Sequence, residues 1–94
     1  MRRFGWQAIL PSMAMFHVYI LQSEREPDQF YTGLADDLRA RLAEHNAGRS
    51  SHTSKYLPWV LVSYTAFRDR PKAVAFERYL KSGSGRALAM RRLR

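Results

Sequence analysis

Two short segments near the start of the chain have the residue pattern of β-strands. Residues 16–21, FHVYIL, are rich in β-branched and aromatic side chains and are apolar on both faces, which predicts an internal strand. The polar, turn-like segment SEREPDQ separates it from residues 30–33, FYTG, which most simply pair back on it as a hairpin. In such a hairpin Tyr31 lies near Tyr19.

The pattern next becomes helical. Asp36 or Asp37 is a suitable N-cap for a helix that ends shortly before Gly48, the residue expected to stop it. Arg41 and His45 are four positions apart, so this helix places them on one face. The sequence therefore predicts an arginine and a histidine that point in the same direction.

A long loop and a third strand follow. Residues 47–58, AGRSSHTSKYLP, are basic and rich in hydroxyl groups, and we expect them to be too polar to pack and suited to contacting a partner. Residues 59–67, WVLVSYTAF, predict a central strand with Trp59 and Tyr64 in the core.

A second helix, opened by Pro71 in its first turn, is expected to run to about Ser82 and to end at Gly83 and Gly85. The remaining residues are cationic and can form a short C-terminal helix. The order β-β-α-β-α plus this helix predicts a small α/β domain whose central three-stranded, mostly antiparallel sheet is flanked by helices. We divide the chain into three segments, an N-terminal tail, a domain and a basic C-terminal arm, at residues 1–15, 16–85 and 86–94.

The composition of the chain predicts a polyanionic partner. The 94 residues carry 16 Lys and Arg against 8 Asp and Glu, a formal charge of +8, which favours nucleic acid. The chain has no cysteine, which fits a cytoplasmic location, and its three histidines have no metal-site spacing. No apolar run reaches the roughly 18 residues that cross a bilayer. We expect neither a membrane partner nor a small-molecule cofactor.

One acidic residue interrupts an apolar stripe. In the second helix Glu77 falls on the same side as Ala73, Phe76 and Leu80, and a buried carboxylate is costly unless it is paired or bound to metal. One interpretation is an ion pair with Lys81, four positions later, worth about 0.3 to 0.5 kcal/mol. The other is a phosphodiesterase site, in which the carboxylate holds a hard cation beside phenols, an arginine and a histidine.

These residues occur in the order of the GIY-YIG nuclease family, and the chain resembles its small single-domain bacterial members over about residues 16–85. The first half-motif reads HVY and ends in Tyr19, and the second reads YTG and begins with Tyr31. Arg41 follows ten positions after Tyr31, His45 and an asparagine end the helix, and Glu77 lies in the segment FERYLKS.

The resemblance implies an α/β nuclease domain and an endonuclease that hydrolyses nucleic-acid phosphodiesters, with DNA favoured over RNA and DNA repair as its setting. Its substrate would be a DNA structure or an end rather than a sequence. It further implies that Glu77 binds one divalent metal, Mg²⁺ or Mn²⁺, that Tyr19 is the general base and that Tyr31 orients water or phosphate. Arg41 would stabilise developing charge, and His45 would assist Tyr19 or contact phosphate. The candidate nucleic-acid contacts are Arg41, Arg49, Lys55, Tyr56, Lys81 and Arg86.

Two alternatives remain open. HV replaces the Gly-Ile of the first half-motif, and no asparagine follows the glutamate helix, although some family members have one there. Both departures suit a basic nucleic-acid-binding module that keeps the nuclease fold without its chemistry. A basic accessory protein that docks on another protein through residues 47–58 is the third hypothesis.

Overall fold

The computed structural model describes residues 14–94, so most of the predicted N-terminal tail, residues 1–13, lies outside the described residues. Three strands, β1 (Phe16–Ser23), β2 (Phe30–Ala35) and β3 (Trp59–Phe67), form one antiparallel sheet in the order β2-β1-β3. This arrangement confirms the hairpin and the internal position of the first strand.

The register of the hairpin places the two tyrosines on one face of the sheet. Tyr19 pairs with Gly33, and Leu21 pairs with Tyr31. Because side chains alternate along a strand, Tyr19, Leu21, Gly33 and Tyr31 all lie on the same side. The predicted proximity of Tyr19 to Tyr31 is confirmed by ring centroids 6.2 Å apart.

The third strand is an edge strand, and the prediction of a central one was wrong. Among residues 14–94 only β1 pairs with β3, with a register shift between Ile20 and Leu21. Trp59 is buried as predicted, whereas Tyr64 is 55% exposed. The apolar run in this strand predicted burial on both sides, but an edge strand without a neighbour leaves part of that surface to solvent.

The first helix, α1 (Leu38–Asn46), begins where the sequence predicts. The side chain of Asp37 accepts a hydrogen bond from the backbone N–H of Ala40 at 3.0 Å, which caps the helix. Gly48 adopts a φ of 76°, a conformation that favours glycine over other residues and ends the helix. A single 3₁₀ turn, Ser54–Tyr56, interrupts the loop that follows.

Two further helices, α2 (Arg70–Leu80) and α3 (Gly83–Arg92), follow β3. Gly83 and Gly85 start the last helix and do not end the previous one. Ser82 is the N-cap, and its hydroxyl accepts from the N–H of Gly85 at 3.2 Å. The serine supplies a helix start that outweighs the usual role of glycine as a stop signal.

The sheet separates two apolar layers. On one face α2 and α3 pack against Val18 and Ile20, and the buried Ala89 of α3 belongs to this layer. On the other face α1 and the loop after it cover Tyr19 and Leu21. The cations predicted as a C-terminal arm thus lie on and just beyond a packed helix, and the domain boundary at residue 85 stays a prediction. No helix within residues 14–94 is long and apolar enough to cross a bilayer.

Candidate active site

The phenol of Tyr19 lies directly over Gly33. A Cβ atom placed on Gly33 would overlap the Tyr19 hydroxyl and come within 2.9 Å of the Tyr31 ring. Since real Cβ atoms do not approach other atoms so closely, only glycine leaves room for Tyr19 at this point of the hairpin. The tyrosine of the first half-motif and the glycine of the second are therefore packing partners.

Tyr19 is hydrogen-bonded to the helix that covers it. Its hydroxyl oxygen lies 2.9 Å from Nε2 of His45, and Nδ1 of the same imidazole lies 2.9 Å from the hydroxyl oxygen of Thr53. Tyr19, His45 and Thr53 are all at most 2% exposed. They form a continuous hydrogen-bonded chain from the sheet, through α1, to the loop, which we call the Tyr19–His45–Thr53 chain.

Tyr31 completes an aromatic cluster around His45. Its ring centroid lies 4.9 Å from that of His45 in an edge-on arrangement, and 6.5 Å from that of Trp59. The end of α1 is fastened at the same place, because Asn46 both accepts from the backbone N–H of Trp59 at 2.7 Å and donates to its carbonyl at 3.0 Å. This double hydrogen bond holds His45 against the two tyrosines.

Arg41 stands one helical turn before His45, on the same side, as predicted. It is half exposed and pairs with Glu44, Nε to Oε1, at 3.2 Å. Arg41 also lines a cavity of about 200 Å³ at the end of β2, which Arg70 from the start of α2 lines as well. Two guanidinium groups from different helices and the Asp36 carboxylate therefore border one small cavity, in which the arginines outnumber the aspartate and favour an anion.

The surroundings of Tyr19 oppose its ionisation. Burial raises the pKa of Tyr19 to about 12, and the neighbouring Tyr31 phenol acts in the same direction. The positive charge of Arg41 lowers the pKa of Tyr19, and the negative charge of Glu77 raises it. At neutral pH Tyr19 therefore keeps its proton, and it can act as a base only when another group takes that proton.

The imidazole beside it is held neutral. Burial lowers the pKa of His45 below its usual 6.5, and the Arg41 guanidinium lowers it further, while the Glu44 carboxylate opposes both. A neutral imidazole carries one proton and one free lone pair, so His45 is able to accept a proton from a neighbour.

Glu77 shows features of both sequence interpretations. Its carboxylate is ion-paired with Lys81, as the simpler one predicts, yet its side chain is only 17% exposed and its charge acts on Tyr19. Within residues 14–94 no three His, Asp or Glu side chains gather into a metal-binding group. A divalent ion here would have one protein carboxylate, which fits Mg²⁺, an ion commonly held by one or two carboxylates plus waters and substrate phosphates.

The candidate nucleic-acid contacts fall into two groups. Lys81 and Arg86 line a cleft of about 410 Å³ beside Phe30 and Tyr31, together with Arg94, whose guanidinium lies 4.2 Å from the Phe30 ring centroid. A second group, Arg49, Lys55 and Tyr56, lies in the loop after α1, where Tyr56 packs edge-on against Trp59. The first group adjoins the candidate active site in two places: Tyr31 lines the same cleft, and Lys81 is ion-paired with Glu77.

Sequence reasoning missed Thr53. The loop of residues 47–58 was expected to be too polar to pack, but Thr53 is 1% exposed, hydrogen-bonded to His45 and, through its carbonyl, to the indole N–H of Trp59 at 2.9 Å. A threonine in a polar segment carries no signal of burial, because its environment depends on distant residues. Arg70 was not predicted as a candidate either, and Arg94 was predicted only as part of the basic C-terminal arm.

Comparison with known proteins identifies the family to which this chain belongs. Residues 15–91 match the GIY-YIG catalytic domain. A UPF0213 protein of Lacticaseibacillus paracasei is 42% identical over 53 residues, which cover 55% of this chain and 60% of that protein. The structure-specific endonuclease subunit SLX1 of Meyerozyma guilliermondii is 39% identical over 80 residues, which cover 78% of this chain and 27% of that protein.

The chain thus spans less than two thirds of the length of these two relatives. The solution NMR structure of a UPF0213 protein from Bacillus halodurans has 26% sequence identity and a TM-score of 0.49, and the comparison covers 81% of this chain and 82% of that one. Because the match to the catalytic domain runs from before β1 into α3 and includes every candidate residue from Tyr19 to Glu77, the chain belongs to the GIY-YIG family.

Proposed function

We propose that this protein is a metal-dependent endonuclease that hydrolyses phosphodiester bonds in DNA, directed by a DNA structure or by an end, within the cytoplasm and in DNA repair. The observation that carries the proposal is the convergence of Tyr19, Tyr31 and His45 over Gly33, with the charges of Arg41 and Glu77 acting on the Tyr19 phenol. Membership of the GIY-YIG family and the formal charge of +8 support a nucleic-acid substrate.

Each residue has a role suited to its surroundings. Tyr19 removes a proton from the attacking water, and His45, neutral and 2.9 Å away, supports it. Arg41 stabilises the negative charge that develops on the phosphate, because its guanidinium is permanently charged and able to bind two oxygens. Tyr31, with its ring beside the same imidazole, orients the phosphate or the water.

Glu77 would hold Mg²⁺ or Mn²⁺. Such an ion neutralises phosphate charge and lowers the pKa of a bound water. Binding requires the carboxylate to exchange its Lys81 ammonium partner for the metal, and Lys81 is then free to contact a phosphate of the same substrate. The side chain of Glu77 is only 17% exposed, and its partner Lys81 lines the cleft beside β2.

The Glu77–Lys81 ion pair also favours a second candidate, a DNA-binding module without nuclease activity. In that case the pair would persist in the presence of metal, and the cations around β2 would bind phosphates without cleaving the strand. The two functions differ in their response to divalent ions, which makes them separable in one experiment.

The test is cleavage of branched, nicked, flapped and single-stranded DNA, and of matching RNA, with Mg²⁺, Mn²⁺ or a chelator. We expect cleavage that requires a divalent ion and prefers DNA. Glu77→Gln and Tyr19→Phe should each lower the rate about 10² to 10⁴-fold, the range for loss of an acid–base or charge-stabilising group.

Glu24→Gln and Tyr79→Phe are the matched controls, since both remove the same chemical groups at exposed positions outside the site. They should cleave at the wild-type rate. Metal-dependent cleavage that survives both Glu77→Gln and Tyr19→Phe would reject the proposed mechanism. DNA binding without any cleavage by the wild type would support the second candidate.

A further inference from the structure

Thr53 is the last member of the Tyr19–His45–Thr53 chain, and nothing in the proposed mechanism yet uses it. Within residues 14–94, the only hydrogen-bond partner of its hydroxyl is Nδ1 of His45, at 2.9 Å. The side chain is 1% exposed, so solvent does not replace this contact. Its position is fixed independently, because the Thr53 carbonyl accepts from the indole of Trp59 and its N–H donates to Ser50.

The surroundings of Tyr19 indicate the direction of hydrogen bonding in the chain. The positive charge of Arg41 acts on Tyr19, and a guanidinium has only donors, so Arg41 offers the Tyr19 hydrogen no acceptor. The Tyr19 proton is then directed to its other neighbour, Nε2 of His45. A phenol is also a stronger donor than an imidazole N–H, and an imidazole nitrogen is a stronger acceptor than a phenol oxygen.

If Nε2 accepts from Tyr19, the single proton of the neutral imidazole is on Nδ1. That N–H points at the Thr53 hydroxyl oxygen, which is able to accept it. Should His45 take the Tyr19 proton as the phenolate forms, the resulting imidazolium donates from both nitrogens, and Thr53 remains a suitable acceptor on the Nδ1 side. A hydroxyl is therefore a matched partner for His45 both before and after this proton transfer.

We propose that Thr53 is a positioning residue for the nuclease reaction: its hydroxyl accepts the Nδ1–H of His45, fixes the tautomer, and so presents the free lone pair of Nε2 to Tyr19. The inference rests on the proposed function. In the transfer, the O–H bond of Tyr19 breaks, a new N–H bond forms at Nε2 of His45, and Tyr19 becomes the phenolate that removes a proton from water.

Nitrogen NMR tests the tautomer without any need for activity. Long-range ¹H–¹⁵N spectra of the metal-free protein, with His45 identified by comparison with His17→Gln and His52→Gln, should show the proton on Nδ1 and a free Nε2. Thr53→Ser keeps the hydroxyl and should give the same spectrum. Thr53→Val has nearly the same shape without the hydroxyl, and His45 should shift to a mixture of tautomers. A wild-type proton on Nε2, or a Thr53→Val spectrum equal to wild type, would overturn the inference.

A DNA-cleavage assay of the Thr53 variants provides a second test. The turnover of Thr53→Val should fall by roughly tenfold or more, as expected when a residue that orients a catalytic histidine is lost. Thr53→Ser should stay within about twofold of wild type because the hydroxyl remains. Wild-type turnover in a folded Thr53→Val variant would overturn the positioning role while leaving the nuclease function intact.

Should the wild type cleave nothing, the proposed function fails, and the NMR spectra still decide the tautomer. If Thr53→Val does not fold, the wild-type and Thr53→Ser spectra decide it.

Discussion

At the scale of single residues, His45 links the stability of the protein to its chemistry. Its imidazole is buried, bonded to Tyr19 on one side and Thr53 on the other, and burial lowers its pKa. Both partners suit a neutral ring, and the positive charge of Arg41 further disfavours a second charge at this place. The neutral state that makes His45 a proton acceptor is thus also the state that the fold stabilises.

This gives a prediction for acid stability. Below pH 6.5 an unfolded chain protonates His45, whereas the folded chain resists protonation, so the unfolded state binds more protons and the free energy of unfolding falls as the pH falls. Thermal unfolding followed between about pH 7.5 and 5 should show a decreasing melting temperature. His45→Gln should flatten this dependence. His52→Gln, at an exposed position, should keep it, and an equally flat curve in His52→Gln would contradict the assignment.

At the scale of secondary-structure elements, the hairpin register determines the site. The pairing of Tyr19 with Gly33 places a phenol over the one residue of β2 that has no side chain. A shift of the register by one residue would turn the tyrosines to the other face of the sheet, away from His45. The geometry of the candidate site is therefore a property of how β1 and β2 pair, and not of either strand alone.

Gly33→Ala tests this dependence. The added methyl group would overlap the Tyr19 hydroxyl, which is buried and hydrogen-bonded and cannot easily move, so we expect a loss of about 1 to 3 kcal/mol in the free energy of unfolding. Nuclease activity should fall with the displaced phenol. Gly83→Ala is the matched control, because open space surrounds that position at the start of α3. Equal stability of both variants in chemical denaturation would contradict the role of Gly33.

The elements also show which information the sequence carries. Two segments rich in β-branched and aromatic residues, joined by a turn-like segment, predicted the hairpin, and helical spacing predicted the shared side of Arg41 and His45. Both predictions depend on residues close in the chain. The order of strands in the sheet depends on distant pairing, so the apolar run of β3 wrongly predicted a central strand. The burial of Thr53 depends on contacts with α1 and β3, which no local pattern in a polar loop records.

At the scale of the whole molecule, positive charge lies at both ends of β2. Arg41 and Arg70 border the cavity at its C-terminal end, and Lys81 and Arg86 line the cleft near its N-terminal end. Tyr31 lines the cleft and Arg41 borders the cavity, so a strand of DNA that contacts both groups would run along β2, the strand over which the buried Tyr19 phenol lies at Gly33. The cavity that includes Arg39 contains two aspartates against one arginine, which opposes phosphate binding, whereas cations outnumber aspartates in both groups around β2.

Salt dependence of DNA binding separates these surfaces. With a chelator present to prevent cleavage, fluorescence anisotropy at several salt concentrations gives the slope of log affinity against log salt concentration. Four phosphate contacts around β2 predict a slope of roughly −3 to −4, and each contact removed should lower its magnitude by about 0.7 to 0.9. Arg70→Ala and Arg86→Ala should each show this decrease and weaken binding. Arg39→Ala removes the same charge beside the aspartates and should leave the slope unchanged. A similar decrease in all three variants would mean that DNA binding depends only on the net charge of the protein and that DNA follows no defined path along β2.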